Sequence, residues 1–121
     1  MSDFQSTFQA LEESLRSAAG NVMGKIDQMT FKWLVDNLKS TDYQVVADTL
    51  EQLENEKRPI SIPPVYFLSV QHPDGRIRQR AALALSKIDV EGDALKLTAG
   101  KSPEEGVKAL IERYGNFRAK R

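Results

Sequence analysis

The sequence predicts an all-α fold, a short α-solenoid of two helical hairpins with one extra helix at each end. Three observations support this prediction. Apolar residues recur at spacings of three and four along several segments, which is the period of an amphipathic helix. No segment alternates apolar and polar residues over the length of a strand. The middle of the chain also repeats its own pattern at an offset of 32 residues.

Composition fits one domain and excludes several kinds of site. The chain has 121 residues, of which 40% are apolar, so it can bury a core. The lack of cysteine excludes disulfides, cysteine-bound zinc, iron–sulfur clusters and thiol catalysis. Acids at Asp3, Glu12 and Glu13 argue against a signal peptide, and no apolar run is long enough for a bilayer. We therefore expect a soluble cytoplasmic domain without a cofactor or bound metal.

Residues 1–29 are predicted to form an N-terminal helix and a loop. The apolar stripe of this helix is Phe4, Phe8, Leu11 and Leu15, and Gly20 and Gly24 interrupt the pattern afterwards. We interpret the helix as a cap over the open end of the repeat stack. Docking into the groove of a partner, or lying on a membrane surface, are the alternatives.

Residues 30–56 form the first predicted hairpin. Its first helix ends near Lys39, and Asp42 is the predicted N-cap of a second helix that ends near Asn55. The residues predicted to face inward on that second helix are Val45, Val46, Thr49, Leu50 and Leu53.

Residues 61–88 form the second predicted hairpin. Pro63 stands in the first turn of its first helix, where the missing N–H is not needed. The apolar body of that helix includes Phe67, Leu68 and Val70. His72 is interpreted as an exposed turn residue. Asp74 is the predicted N-cap of a helix over residues 75–88, whose inward residues are Ile77, Ala81, Ala84, Leu85 and Ile88.

A capping helix is predicted over residues 102–115. Ser102 and Glu105 have the spacing of a capping box, and the proline between them suits the first helical position. Residues 89–101 fit either a short helix or a loop. Residues 116–121 form a basic tail, which we interpret as a solvated end.

The offset of 32 residues aligns the two hairpins by role. It places Asp42 on Asp74 and Leu53 on Leu85, so each unit is a helix, an Asp-capped turn and a helix. Such a unit must stack on a neighbour to bury its apolar face. Because solenoids usually need about three repeats, the flanking helices, a second copy of the chain or a partner must close the ends.

The second hairpin resembles a HEAT repeat of the short type found in phycobilisome-lyase-like proteins. The resemblance lies in the Ile-Pro opening, the Pro-Asp turn and the alanine-rich helix, which are Ile62-Pro63, Pro73-Asp74 and Ala81-Ala82-Leu83-Ala84-Leu85. Residues 30–55 match weakly, with Val46 where the family has an arginine. The resemblance implies stacked hairpins and protein binding. It gives Arg78 the structural role of the family's turn arginine, bonding turn carbonyls or Asp42 of the preceding unit.

The two hairpins carry opposite charges. Residues 36–56 contain six acids and one base, whereas residues 71–88 contain four bases and one acid. One interpretation pairs Asp48 and Glu51 laterally with Arg76 or Arg80. The other is a surface that binds a partner through complementary charge. The candidate partner-binding residues are Arg76, Arg80, Leu83, Lys87, Asp48, Glu51 and Trp33. For Trp33 the alternative is core packing against the first helix.

No arrangement of residues in the sequence is typical of catalysis, so we expect a non-enzymatic interaction module that acts as an adaptor, chaperone or assembly factor. An accessory role for a tetrapyrrole pigment–protein complex in a photosynthetic cell is an alternative that follows from the resemblance alone. Weak nucleic-acid binding is another, although equal totals of 17 basic and 17 acidic residues disfavour it.

Overall fold

The computed structural model describes residues 6, 8–10, 13, 36–57 and 61–114, and within them it contains helices and turns but no strand. The all-α fold is therefore confirmed. Five helices have defined bounds: α1 (Tyr43–Glu56), α2 (Ile62–Gln71), α3 (Gly75–Ile88), α4 (Asp93–Thr98) and α5 (Pro103–Tyr114). Residues 6, 8–10, 13 and 36–38 are also helical. The predictions for Trp33, the loop containing Gly20 and Gly24, and the basic tail lie outside the described residues.

Side-chain caps explain where three of the helices begin. Oδ1 of Asp42 accepts a hydrogen bond from the Gln44 N–H at 2.9 Å. Asp74 does the same for the Arg76 N–H at 2.9 Å. At α5 the Glu105 N–H donates to Ser102 Oγ at 3.2 Å, and the Ser102 N–H donates to Glu105 Oε1 at 3.4 Å. These bonds satisfy amides that have no partner inside the helix.

Helix α2 lies at the centre of the described fold. It packs on α3 and α5, while α1 also packs on α3 and α4 packs on α5. Every residue from Ile62 to Leu68 is buried, including Pro63 in the first turn. A helix that is apolar on all sides must be covered on all sides, which explains its position.

Phe8 joins the N-terminal segment to this core. Its side chain is fully buried, and its ring meets that of Phe67 edge-on, with centroids 5.6 Å apart. A phenylalanine in such a site contributes through both its buried area and its ring contacts. Phe8 is the described residue of the apolar stripe predicted for the N-terminal helix, and it faces the core.

The α2–α5 contact requires a glycine. A methyl group at Gly106 would lie 2.7 Å from the Tyr66 hydroxyl oxygen and 3.1 Å from two ring carbons. Burial raises the pKa of Tyr66, although Thr98 acts in the opposite direction. Gly106 thus lets the two helices approach within contact of the tyrosine ring.

The structure resolves the ambiguity at residues 89–101, because 93–98 form the short helix α4. Its free amides are bound by Asp89, whose carboxylate accepts from the Ala94 N–H at 3.1 Å and the Leu95 N–H at 3.3 Å. Gly92 makes the intervening turn with a positive φ of 77°. Asp89 lies five and six residues before the amides that it binds, whereas a usual N-cap binds amides two or three residues later. Sequence patterns therefore do not decide whether this segment is helical.

Two sequence interpretations are wrong. His72 is buried, whereas the adjacent Pro73 is the exposed residue of the turn. Its Nδ1 accepts a hydrogen bond from the Asp74 N–H at 2.9 Å, which replaces contact with water. The assignment of Val70 to the apolar body of α2 is also wrong: its side chain is 38% exposed, because it follows the last buried turn of the helix.

Candidate functional site

Helices α1 and α3 lie side by side and carry opposite charge. Helix α1 has four acids and no base, whereas α3 has four bases and no acid. Their outward residues form what we call the bipolar surface, which consists of Asp48 and Glu51 on α1 and of Arg76, Arg80, Leu83 and Lys87 on α3. The tertiary structure therefore brings six of the seven predicted partner-binding residues to one pair of helices.

An ion pair between Arg80 and Glu54 joins the two helices. The Arg80 guanidinium donates directly to the Glu54 carboxylate, whose side chain is only 8% exposed. That hydrogen bond raises the pKa of Arg80, so the guanidinium stays charged. Lys87 Nζ lies 3.8 Å from the same carboxylate, and Lys57 Nζ donates to the Lys87 carbonyl at 3.2 Å. One buried acid on α1 thus contacts two bases of α3.

Glu54 is the residue of this candidate site that sequence reasoning missed. The lateral interpretation named Asp48 or Glu51 as the partner of Arg80, but the direct partner is Glu54. Asp48 instead accepts from Gln44 Nε2 at 2.8 Å within its own helix, and Glu51 is exposed near Arg80. Glu54 stands four residues after the buried Leu50, on the apolar side of α1. An acid at such a position needs a basic partner, and that signal could have identified it.

Arg76 connects the other ends of the two helices. Its guanidinium lies over the Tyr43 ring at 4.8 Å and bonds Asp74 through Nη2 at 3.0 Å. The hydrogen bonds from Arg76 lower the pKa of Asp74 and raise that of Arg76 itself. The Arg76 side chain is 70% exposed, so this contact orients the charge at the surface without burying it.

An open depression runs along the bipolar surface between these two ion pairs. It is lined by Tyr43, Arg76, Gln79, Arg80 and Leu83. Leu83 is 50% exposed and follows Arg80 by one helical turn. An exposed leucine with charges of both signs around it is a common composition for a protein-binding patch.

Arg78 points away from this surface. Its Nη1 donates to the His72 carbonyl at 2.6 Å and to the Pro73 carbonyl at 3.3 Å. Of the two roles implied by the resemblance, the structure shows bonding to turn carbonyls within the residue's own hairpin. In the described residues Arg78 therefore closes one turn and makes no bond to Asp42.

Other kinds of site find no support in the part of the chain that the structure describes. No group of three or more histidines and acids there is placed to hold a metal ion. The helices with defined bounds are also too short or too polar to cross a membrane. The seventh candidate, Trp33, lies outside the described residues. No protein-family model, curated protein or solved structure matches this chain.

Proposed function

We propose that the chain is a non-catalytic protein–protein interaction module that binds its partner through the bipolar surface. The observation that carries this proposal is the exposed Leu83 beside the depression on α3, with an acidic helix directly alongside. The leucine supplies apolar area to an interface, and the two charged strips orient the partner. Such a module can serve as an adaptor, a chaperone or an assembly factor.

The packing of the helices supports the proposed HEAT-like solenoid. Helices α1 and α3 each begin at an aspartate cap, lie side by side and follow one another at the repeat offset. Helix α2 packs against both α3 and α5, as the inner layer of a stacked repeat does. This arrangement leaves the outward faces of α1 and α3 available to a partner.

The residues of this surface have different proposed roles. Arg76, Leu83 and Lys87 on α3, with Asp48 and Glu51 on α1, are exposed and would contact the partner directly. Arg80 is held by Glu54, so its main role would be to fix the two strips relative to each other. Trp33 stays a proposed contact on sequence grounds.

The two alternatives have weaker support. Arg76 and Arg80 are already paired with Asp74 and Glu54, and a phosphate on α3 would also meet the acids of α1. A nucleic acid would therefore bind this surface poorly. The pigment-complex role rests on the resemblance, and no contact described above favours it.

Affinity capture with two matched variants tests the proposal. The full chain carrying Arg76→Glu and Leu83→Asp should lose a partner that the wild-type chain retains from its native extract. The control is Leu95→Asp on α4, since Leu95 is 63% exposed but lies outside the bipolar surface. Circular dichroism confirms that each variant is folded. If the double variant is folded and keeps every partner of the wild type, the surface is assigned wrongly.

A further inference from the structure

Helices α1 and α3 run parallel, and this direction gives the bipolar surface a particular symmetry. Tyr43, the first residue of α1, contacts Arg76 near the start of α3. Glu54 near the end of α1 lies beside Lys87 near the end of α3. The acidic strip and the basic strip therefore lie next to each other in the same direction and over the same length.

Such a pair of strips complements itself under one two-fold rotation. When two copies face each other across an axis parallel to the helices, α1 of each copy lies over α3 of the other. Acid then meets base on both sides of the axis. An axis perpendicular to the helices in the same interface would place acid on acid and base on base.

The charge pattern also restricts what can bind there. A purely acidic partner would be repelled by Asp48 and Glu51, and a purely basic one by Arg76 and Lys87. All four residues are exposed, and the side chains of Arg76 and Lys87 are 70% and 53% exposed. A partner that matches this surface carries acidic and basic side chains in adjacent strips. A second copy of this chain carries them in that arrangement, because its α1 and α3 are the same two strips.

We infer that the bipolar surface binds a second copy of this chain and forms a symmetric homodimer. This rotation keeps each residue at its own level along the helices, so Asp48 and Glu51 of each copy lie level with Arg80 and Leu83 of the other copy. Gln79 and Arg76 of that copy lie within about one helical turn of Asp48. Leu83 adds apolar contact. This inference rests on the proposed function, because it takes the surface to be one that binds protein. A contact made mostly by exposed charges weakens with salt, since ions screen it.

Sedimentation equilibrium of the full chain at low salt gives the first test. Over about 10 μM to 1 mM, the mass should rise from 13.6 kDa towards twice that value, and added salt should reverse the rise. A monomer at every concentration in low salt would overturn the inference.

Charge reversal tests the arrangement itself. Asp48→Lys with Glu51→Lys makes both strips basic, whereas Arg76→Glu with Gln79→Glu makes the start of the α3 strip acidic. Each variant alone should associate at least about ten-fold more weakly than the wild type, because like charges then face each other. An equimolar mixture should recover a one-to-one heterodimer. Arg80 and Lys87 are left unchanged because both contact Glu54.

The control is Glu91→Lys with Glu112→Lys, which makes the same change in net charge as the α1 variant, at exposed positions outside the surface. It should associate like the wild type. If the α1 and α3 variants also associate like the wild type, or if their mixture stays monomeric, the acid-on-base dimer is excluded. A monomeric chain that captures another protein through Leu83 would overturn this inference alone. A dimer that captures no other protein would overturn the adaptor role alone.

Discussion

Glu54 occupies a position on α1 where the helical pattern places apolar residues, and its carboxylate is almost fully buried. A buried carboxylate is tolerated when a base compensates it, and Arg80 does so from the neighbouring helix. His72 is a second polar residue in a buried position, with its Nδ1 accepting a backbone amide. Both side chains have a polar contact that a substitution or protonation can remove.

Arg80→Ala should lower the free energy of unfolding by about 2 kcal/mol, because it leaves Glu54 without its direct partner. The loss should be smaller than the roughly 3–5 kcal/mol of a fully buried pair, since Lys87 stays near and Arg80 is partly exposed. Urea unfolding gives the value, with Arg76→Ala as the exposed-arginine control. Equal losses in the two variants would show that Glu54 does not need Arg80.

His72 should make the stability of the fold sensitive to mild acid. Burial, together with the nearby Arg78, lowers its pKa below 6.5, although Asp74 acts in the opposite direction. The unfolded chain therefore takes up a proton first, and stability falls as the pH drops below about 6.5 towards the lowered pKa. The contribution is fully present above that range.

The matched variant for this prediction is His72→Asn, whose Oδ1 can accept the Asp74 amide without titrating. The difference in urea midpoint between wild type and variant should change in favour of the variant as the pH falls from about 7 to 5. Parallel pH profiles would show that His72 does not titrate on unfolding.

At the level of helices, two details control how α4 and α5 are placed. Asp89 binds the first free amides of α4 from before the turn. Gly106 lets α5 approach the Tyr66 ring on α2. Neither detail alters the pattern of apolar residues, yet each sets the position of a whole helix.

Asp89→Ala should cost about 1–2 kcal/mol of stability, because the amides of Ala94 and Leu95 lose their acceptor. Asp89→Asn keeps one acceptor oxygen and should lose less. Hydrogen exchange by NMR should show faster exchange of those two amides in the alanine variant. Unchanged exchange at both amides would mean that α4 is held by packing alone.

Gly106→Ala should destabilise the fold by about 1 kcal/mol or more, although alanine is the better helix former. The added methyl group overlaps the Tyr66 hydroxyl, so either the tyrosine ring or α5 must shift. Tyr66→Phe in the same chain should recover part of the loss. The control is Gly75→Ala, whose methyl group would lie 3.2 Å from Nη2 of Arg78, a longer distance than the 2.7 Å at Gly106. A stabilised Gly106→Ala variant would contradict the close approach.

For the molecule as a whole, a net charge of zero hides a strong separation of charge between two neighbouring helices. That separation is the basis of both proposals. The core beneath it is continuous from α1 to α5 and includes Phe8 from the N-terminal segment. The fold should therefore unfold as one unit.

Phe8→Ala should remove about 3 kcal/mol from the free energy of unfolding, as expected for a buried aromatic side chain. Gln9→Ala, at an exposed neighbouring position, should have little effect. Calorimetry should show one transition at a lower temperature for Phe8→Ala. A small change would mean that the contact between Phe8 and Phe67 is not part of the cooperative core.

Local patterns were enough to predict the helical fold and the starts of α1, α3 and α5. Asp42, Asp74 and Ser102 each bind amides two or three residues away, so their role is visible in the nearby sequence. The opposite charges of α1 and α3 could be predicted for the same reason, because each helix is a continuous segment of the sequence.

Contacts between distant segments account for the rest. Arg80 could be matched to Glu54 only once α1 and α3 were placed together, because 26 residues separate them in the chain. The burial of His72 and the need for glycine at residue 106 likewise depend on how turns and helices pack. Packing brings together residues that are far apart in the chain, and no helical period relates their positions. These features could therefore be found only from the tertiary structure.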